Sequence, residues 1–341
     1  MGKKVVCFGE IMLRLSPPGY LRFEQACSFD ATYGGGEANV AVSLANYGLD
    51  AYFVTKVPAN PIGQAAVNEM RRYGVETRFM LKGGDRLGIY FLEKGASQRP
   101  SKVLYDRKAS AVSEAQRGDF DWQSIFAGAD WFHFTGITPA LSGNVAEAAL
   151  DACKAAKGAG LTVSCDLNFR KNLWSSEKAG RVMAAFMPYV DICIANEEDA
   201  EKVFGIKAAE SNITGGVLSR EGYETVAREL QGRFGFKAVA VTLRGSISAS
   251  DNNWAAMLYK DGTCRFSRSY PVHIVDRVGG GDAFAAGLIY AFLNGCDDSE
   301  ALEFAVAASC LKHSIEGDAS HVTVDEVRSL MAGDASGRVQ R

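Results

Sequence analysis

The feature that most restricts how this chain can fold is a repeated alternation. Short apolar runs recur along it, each separated from the next by a segment with helical spacing. Lys4 to Phe8 (KVVCF), Ala51 to Val57, WFHFTG at 131–136, LTVSCDLN at 161–168, DICIANE at 191–197 and KAVAVTL at 237–243 read as strands. Helix-like segments lie between them: ANVAVSLANYG closed by Gly48, a segment from Asn60-Pro61 to Gly74, and 144–157, 175–187, 197–204 and 221–233. Pro61 suits the first turn of a helix, and a glycine suits its end. Strands that are apolar on both faces must be covered on both faces, and the intervening helices are the cover. The expectation is an α/β fold built on a doubly wound, mostly parallel sheet flanked by helices.

Two stretches break the rhythm. Residues 11–33 lack helical spacing and contain Pro17-Pro18-Gly19, while 77–111 read as strand, turn, strand through TRFML, LGIYFLEKG and SKVLYDR. The alternation in the latter two suits strands with one wet face. Together they predict a small β lid inserted twice into a core of residues 1–10, 34–76 and 112–332, with 333–341 as a frayed tail. Lids of this kind close over clefts. An edge extension of the main sheet is the alternative.

With 341 residues, 47% hydrophobic and 23% charged, the chain has the composition of a globular protein with a sizeable core. Basic and acidic residues number 37 and 40, and no basic stripe stands out, which argues against a nucleic-acid or anionic-membrane partner. The opening apolar run is cut by Glu10 and Arg14, so it suits neither a signal peptide nor a membrane span. Eight cysteines without a C-x-x-C pair read as reduced, buried small hydrophobes of a cytoplasmic protein. The four histidines show no zinc-ligand spacing.

The sharpest local signal is Asp276-Arg277-Val278-Gly279-Gly280-Gly281-Asp282, placed between a strand-like YPVHIV and the apolar helix AFAAGLIYAF. Three glycines permit close backbone approach, and their N–H groups lie at the positive end of that helix. Such a turn holds an anion. A carboxylate among the same donors, Asp282, makes sense as a proton acceptor for a nucleophile; an N-terminal capping acid on a tight turn is the plainer reading. A second cluster, Gly34-Gly35-Gly36 followed by Asn39, also opens a helix. It lacks the last glycine and the downstream acid of a dinucleotide fingerprint, and no Walker A loop occurs anywhere in the chain.

The two clusters together resemble the ribokinase-like, or PfkB-type, carbohydrate kinases. Gly34, Gly35 and Asn39 match the first signature of that family, and DRVGGGD at 276–282 matches the second. Within it, YGGGEANVAVSLA, VLYDRKASA, DLNFRKNLW and KHSIEGDASHVTVDE are most similar to the branch acting on 2-keto-3-deoxygluconate. The resemblance implies ATP as phosphoryl donor, Mg²⁺ with its phosphates, and a sugar acid as acceptor. It implies Asp282 as the base and Gly279, Gly280 and Gly281 as the anion hole. Gly34, Gly35, Asn39, Tyr90, Tyr105, Arg107 and Arg170 would meet the substrate. Asn168, Arg170, Asn196, Arg244, Gly245, Ser246, Gly279 and Gly281 would meet ATP. Asp199 would act on the metal through water. Independently of the resemblance, the exposed edges of the lid strands predict a homo-oligomer, at least a dimer, in which two lids pair across a two-fold axis. A neutral-sugar or nucleoside kinase and a non-catalytic sugar- or nucleotide-binding regulator are the rival readings.

Departures from the family pattern sharpen these expectations. Arg277 stands for the usual Thr, Gly280 for Ala, and Asp199 for the Glu of N-x-x-E. Arg277 is expected to contact a phosphate or a neighbouring acid. Arg14 takes the place of an acid that neutral-sugar members use on sugar hydroxyls, which fits an acidic substrate. Lys312 and His313 are expected at a helix exit, toward the adenine region or solvent.

Overall fold

The computed structural model describes residues 2–207 and 220–334. Of the expected frayed tail, residues 335–341 lie outside that range. The first part of the chain forms β1 (Lys4–Phe8), β2 (Met12–Ser16), β3 (Asp30–Gly34), α1 (Gly36–Asn46), β4 (Asp50–Val57), α2 (Pro61–Arg72), β5 (Met80–Lys82), β6 (Gly88–Glu93) and β7 (Lys102–Asp106). The middle forms α3 (Trp122–Phe126), β8 (Trp131–Thr135), α4 (Ile137–Ala140), α5 (Gly143–Gly158), β9 (Thr162–Asp166), α6 (Ser176–Ala184), β10 (Ile192–Asn196) and α7 (Glu197–Phe204). The last part forms α8 (Arg220–Phe234), β11 (Ala238–Ser246), β12 (Asp251–Lys260), β13 (Thr263–Phe266), β14 (Tyr270–His273), α9 (Gly280–Leu293), α10 (Asp298–Lys312) and α11 (Val324–Met331).

The apolar runs do form a mostly parallel sheet. Its order is β13-β12-β11-β10-β9-β8-β1-β4-β5, with β14 also on β12, and only β12, β13 and β14 run antiparallel. Both faces are buried, as the composition of the strands requires. Val5 and Cys7 of β1 join one apolar cluster with α1, α9 and α10, while Val6 and Phe8 join another with α5. The chain builds outward from β1 in one direction through β4 and β5, and in the other through β8 to β11. The β1/β8 boundary is therefore the point where strand order reverses, and ligands of open α/β sheets bind beyond the strand ends at such a point.

A separate four-stranded sheet, β3-β2-β6-β7, stands over those ends. One boundary differs from the sequence reading. Met80–Lys82, placed there in the β insertion, pairs in parallel with Thr55–Val57 of β4 and so belongs to the edge of the large sheet. The small sheet takes only Gly88–Glu93 and Lys102–Asp106 from that insertion. Its strand β3 ends in Gly34, which pairs with Met12.

The cysteines are all free, and Cys7, Cys153, Cys165 and Cys193 are buried. Cys27 is exposed and departs from the expectation that they fill the core. Among the described residues no helix is long and apolar enough to cross a membrane.

Candidate active site

A cleft of about 520 Å³ opens between the two sheets, above the C-terminal ends of β8 to β11. Asn39, Asp282 and all three glycines of the 279–281 turn line it. So do Tyr90, Tyr105 and Arg107 from the small sheet, and Asn168, Arg170, Asn196, Asp199, Arg244 and Arg277 from the core. Of the residues singled out in the sequence, Gly34, Gly245 and Ser246 are not on its wall. Gly245 lines a separate groove with Arg220, Tyr223 and Phe266.

The three glycines of the turn have three different reasons to be glycine. Gly279 caps α9 in the left-handed region, with φ 83°, and a Cβ there would lie 1.9 Å from the Asp318 carbonyl oxygen. A Cβ on Gly280 would lie 2.5 Å from the His313 ring. Gly281 has neither constraint: its φ is not positive, and a Cβ would meet nothing within 4 Å. Its missing side chain leaves open space in the cleft. The first-turn N–H groups of α9 have no intrahelical acceptor and carry the positive end of the helix dipole, which makes that space a place for an anion.

Asn39 joins the two glycine clusters. Its Nδ2 donates to Asp282 Oδ2 at 2.7 Å, and its Oδ1 accepts from the Gly35 N–H at 3.3 Å. Burial pushes the Asp282 carboxyl up to about 6; the Asn39 hydrogen bond opposes this, Asp318 adds to it, and Arg170 and Lys312 pull against it. The group is thus ionised at neutral pH yet close enough to accept a proton. Gly36, the last glycine of the second cluster, faces it: a Cβ there would sit 3.6 Å from Asp282 Oδ1. Gly34 and Gly35 instead admit the Asp318 side chain and the Glu10 backbone, 2.1 and 1.9 Å from their would-be Cβ positions.

The end of β9 forms the facing wall. Asn168 is held at φ 37°, uncommon for a residue with a side chain, and its N–H bonds Asp166 Oδ1 at 3.1 Å. Asp199 secures the same turn. Its Oδ1 accepts from the Phe169 N–H at 2.9 Å and its Oδ2 from the Asn196 N–H at 3.2 Å. Asn196 in turn caps α7 by accepting from the Glu198 and Asp199 N–H groups. Both Asp199 oxygens are therefore engaged by backbone donors. Asp166 was not singled out, although it ends a parallel strand where ligands bind. Burial pushes its carboxyl well up, with Asp199 and Asp282 adding.

On the small sheet, Arg107 is buried and pairs through Nη2 with Glu10, which also accepts from Ser110 Oγ at 2.7 Å. Among the described residues the Arg107 Nε has no hydrogen-bond partner. The Arg107 guanidinium lies 5.3 Å from the exposed Tyr105 ring. Tyr90 is buried and bonds Asp318 through its hydroxyl.

Two expectations change here. Arg14 does not face the cleft: it is 2% exposed, bonded to Asp276 at 2.5 Å, Asp318 at 2.7 Å and Ser16 at 2.9 Å. Its charge answers acids of the fold. Lys312 and His313 do end α10, as expected, but they do not face solvent. Both are buried beneath the glycine turn, with the His313 ring 4.7 Å from that of Trp254. Arg277 has no carboxylate within the 4.0 Å of an ion pair among the described residues; its Nη2 donates to the Ala249 carbonyl at 2.9 Å and ties the glycine turn to the 247–250 corner. Arg244, also on the cleft, lies over Trp254 at 5.3 Å.

A helix-end anion cradle with a carboxylate inside it, at the strand-order reversal of a doubly wound sheet, is the layout of a small-molecule kinase. The family model for pfkB family carbohydrate kinases matches residues 2–323, and the chain belongs to that family. It is similar to the crystal structure of 2-dehydro-3-deoxygluconokinase from Thermotoga maritima, at 55% identity and TM-score 0.94, covering 98% of this chain and 99% of that one. A 2-dehydro-3-deoxygalactonokinase from Haloferax volcanii is 35% identical over 98% of this chain and 99% of its own length. A 2-dehydro-3-deoxygluconokinase from Thermoproteus tenax is 28% identical over 92% and 89%.

Proposed function

We propose that this chain transfers the γ-phosphoryl group of ATP to the terminal hydroxyl of 2-keto-3-deoxygluconate (2-dehydro-3-deoxygluconate), giving the 6-phosphate and ADP. The observation that carries the reading is the position of Asp282, inside the α9 cradle and hydrogen-bonded to Asn39. Asp282 accepts the proton of the attacking hydroxyl. The N–H groups of the 279–281 turn take the charge of the transferring group, which in a loose transition state is the larger task. Arg244, Asn196 and the turn at Asn168 form the nucleotide side, and Tyr90, Tyr105 and Arg107 the sugar side. Mg²⁺ enters with ATP and neutralises phosphate charge when bound. Asp166, which has no ion-pair partner within 4.0 Å among the described residues, would be the carboxylate that holds this Mg²⁺ directly or through water, and Asp199 would support it through the turn it secures. Eight free cysteines suit a reducing compartment, in keeping with a cytoplasmic enzyme. ADP release measured over a panel of neutral sugars, 2-keto-3-deoxygluconate and its galactonate-derived epimer tests the assignment. Highest kcat/KM on the gluconate-derived acid is expected, in line with the 55% identical relative. Preference for a neutral sugar would overturn it.

Recognition of the carboxylate is assigned to Arg107, with Arg170 across the cleft, because a guanidinium offers paired planar donors. Glu10 fixes the Arg107 fork while leaving Nη1 for the substrate. Arg107→Ala is expected to raise KM for the sugar acid, by the roughly 1.5–3 kcal/mol of a charged hydrogen bond, and to change KM for ATP much less. The measurement is the ratio of kcat/KM for the acid over a neutral keto sugar, in wild type and variant. An unchanged ratio removes the carboxylate role.

The small sheet is read as a lid that also pairs two protomers. Every residue of β7 is exposed, and Tyr20, Leu21, Phe29, Val103, Leu104 and Tyr105 give it an apolar surface. An unpaired edge beside such a surface is unstable in water alone. Sedimentation of the wild type is expected to give a dimer mass. Leu104→Glu, on a side chain that does not line the cleft, is expected to give a monomer. A wild-type monomer mass that does not change with concentration would exclude the pairing.

A further inference from the structure

Lys312 is a buried charge near the site that the proposed reaction does not use. The last residue of α10, it is 0% exposed, yet its ammonium makes a single hydrogen bond, to the Ile315 carbonyl at 3.1 Å. No carboxylate lies within the 4.0 Å of an ion pair among the described residues. A buried ammonium with two spare donors and no direct counter-ion is costly and uncommon. It lies directly behind the glycine turn: a Cβ on Gly279 would be 3.2 Å from Lys312 Cε.

The charges around it explain what it does there. Beneath the turn, Asp276 and Asp318 share one directly bonded cation, Arg14. Those three groups carry a net charge of −1. Left so, they would place negative charge under a cradle that has to receive a phosphoryl group, and beside Asp282, which Asp318 already makes harder to ionise. Lys312 brings the layer to zero. Charges in a poorly solvated interior act over longer distances than in water, so direct contact is not required. We propose that Lys312 is a positioning residue of the transfer site: its buried ammonium balances the Asp276–Arg14–Asp318 layer, so that the cradle accepts an anion and Asp282 remains available as a carboxylate. This rests on the reading of Asp282 and the glycine turn given above. The plainer role, a lysine satisfying carbonyls at the end of α10, predicts effects on stability alone.

Three variants separate the two, read through kcat and the acid limb of kcat/KM against pH. The charged groups facing Lys312 are Asp276, Asp318, Arg14 and Asp282. Of the remaining titratable neighbours, burial lowers His313 to about 4 and holds Tyr90 well above its ordinary value, so both stay neutral through the range measured; His321 is lowered by burial and by Lys312, and all variants are made in a His321→Gln background to remove its titration from the limb. Lys312→Met leaves the layer at −1; kcat is expected to fall roughly 10- to 100-fold and the limb to rise by about half a unit or more, with sugar KM within about threefold. Asp276→Asn keeps the shape, leaves the layer at +1, and is expected to move the limb down. The double variant is neutral again and is expected to return the limb toward wild type. A folded Lys312→Met with wild-type kcat and limb overturns the proposal. Should Lys312→Met not fold, the step from Asp276→Asn to the double variant decides: an upward return supports it, and an unmoved limb overturns it. Failure of the underlying reading is distinct, because it would show as normal turnover in Asp282→Asn.

Discussion

In Asp282→Asn, kcat is expected to fall by roughly 10²–10⁴ while sugar KM changes little, because the substitution keeps the shape of the side chain and removes its capacity to take a proton. The amide can still meet Asn39 after a flip, so the helix start and the Asn39 bridge between the glycine clusters are retained. The pH dependence supplies an independent check. With the wild-type carboxyl pushed up to about 6, the base is ionised above that pH and protonated below it. The kcat/KM profile should therefore lose activity as pH falls through about 6, and Asp282→Asn should lose that limb. Near-normal turnover in the variant would remove Asp282 from the base role and leave it as a capping acid.

Gly281→Val is the second large effect, and it isolates ligand approach from folding. The same change at Gly279 would drive a side chain into the Asp318 backbone, and at Gly280 into the His313 ring, so loss of activity there would say little. At Gly281 a Cβ meets nothing within 4 Å among the described residues outside its own stretch of helix, and it needs no unusual φ. The only thing displaced is whatever occupies the cradle. Thermal unfolding is expected to stay within a few degrees of wild type, as for an exposed substitution of about 0.5 kcal/mol or less. Phosphoryl transfer is expected to drop by roughly 10²-fold or more, on the scale of losing an oxyanion-hole donor. Normal transfer by Gly281→Val would mean that the turn does not hold the transferring group.

The parallel centre of the large sheet was legible in the sequence because β1, β4, β8, β9, β10 and β11 are apolar on both faces, a pattern few other folds require. The glycine turn was legible for a related reason: three glycines between a strand and an apolar helix have few other uses. Which sheet a strand joins was not. Met80–Lys82 sits among turn residues in the same stretch as the small-sheet strands, and only its distant pairing with Thr55–Val57 assigns it. Asp318 was missed because nothing local marks it; it reaches the site by packing against Gly34, Arg14 and Tyr90, which come from three different strands. The sign of Arg14 misled for the same reason. Its charge is matched by acids more than 250 positions along the chain, Asp276 and Asp318. Asp166 was within reach, since it ends a central parallel strand at the mouth of the cleft.

The anchoring of β2 and β6 bears on how the small sheet can move. Arg14 of β2 and Tyr90 of β6 both grip Asp318 in the core, whereas β7 stands at the outer edge with every residue exposed. Such a sheet cannot swing shut as a door does, since that would tear two buried polar contacts at once. As a lid it would be a lever with its fulcrum at Asp318 and its free end at Val103–Tyr105, so a small rotation at the fulcrum would become its largest sweep where Tyr105 lines the cleft.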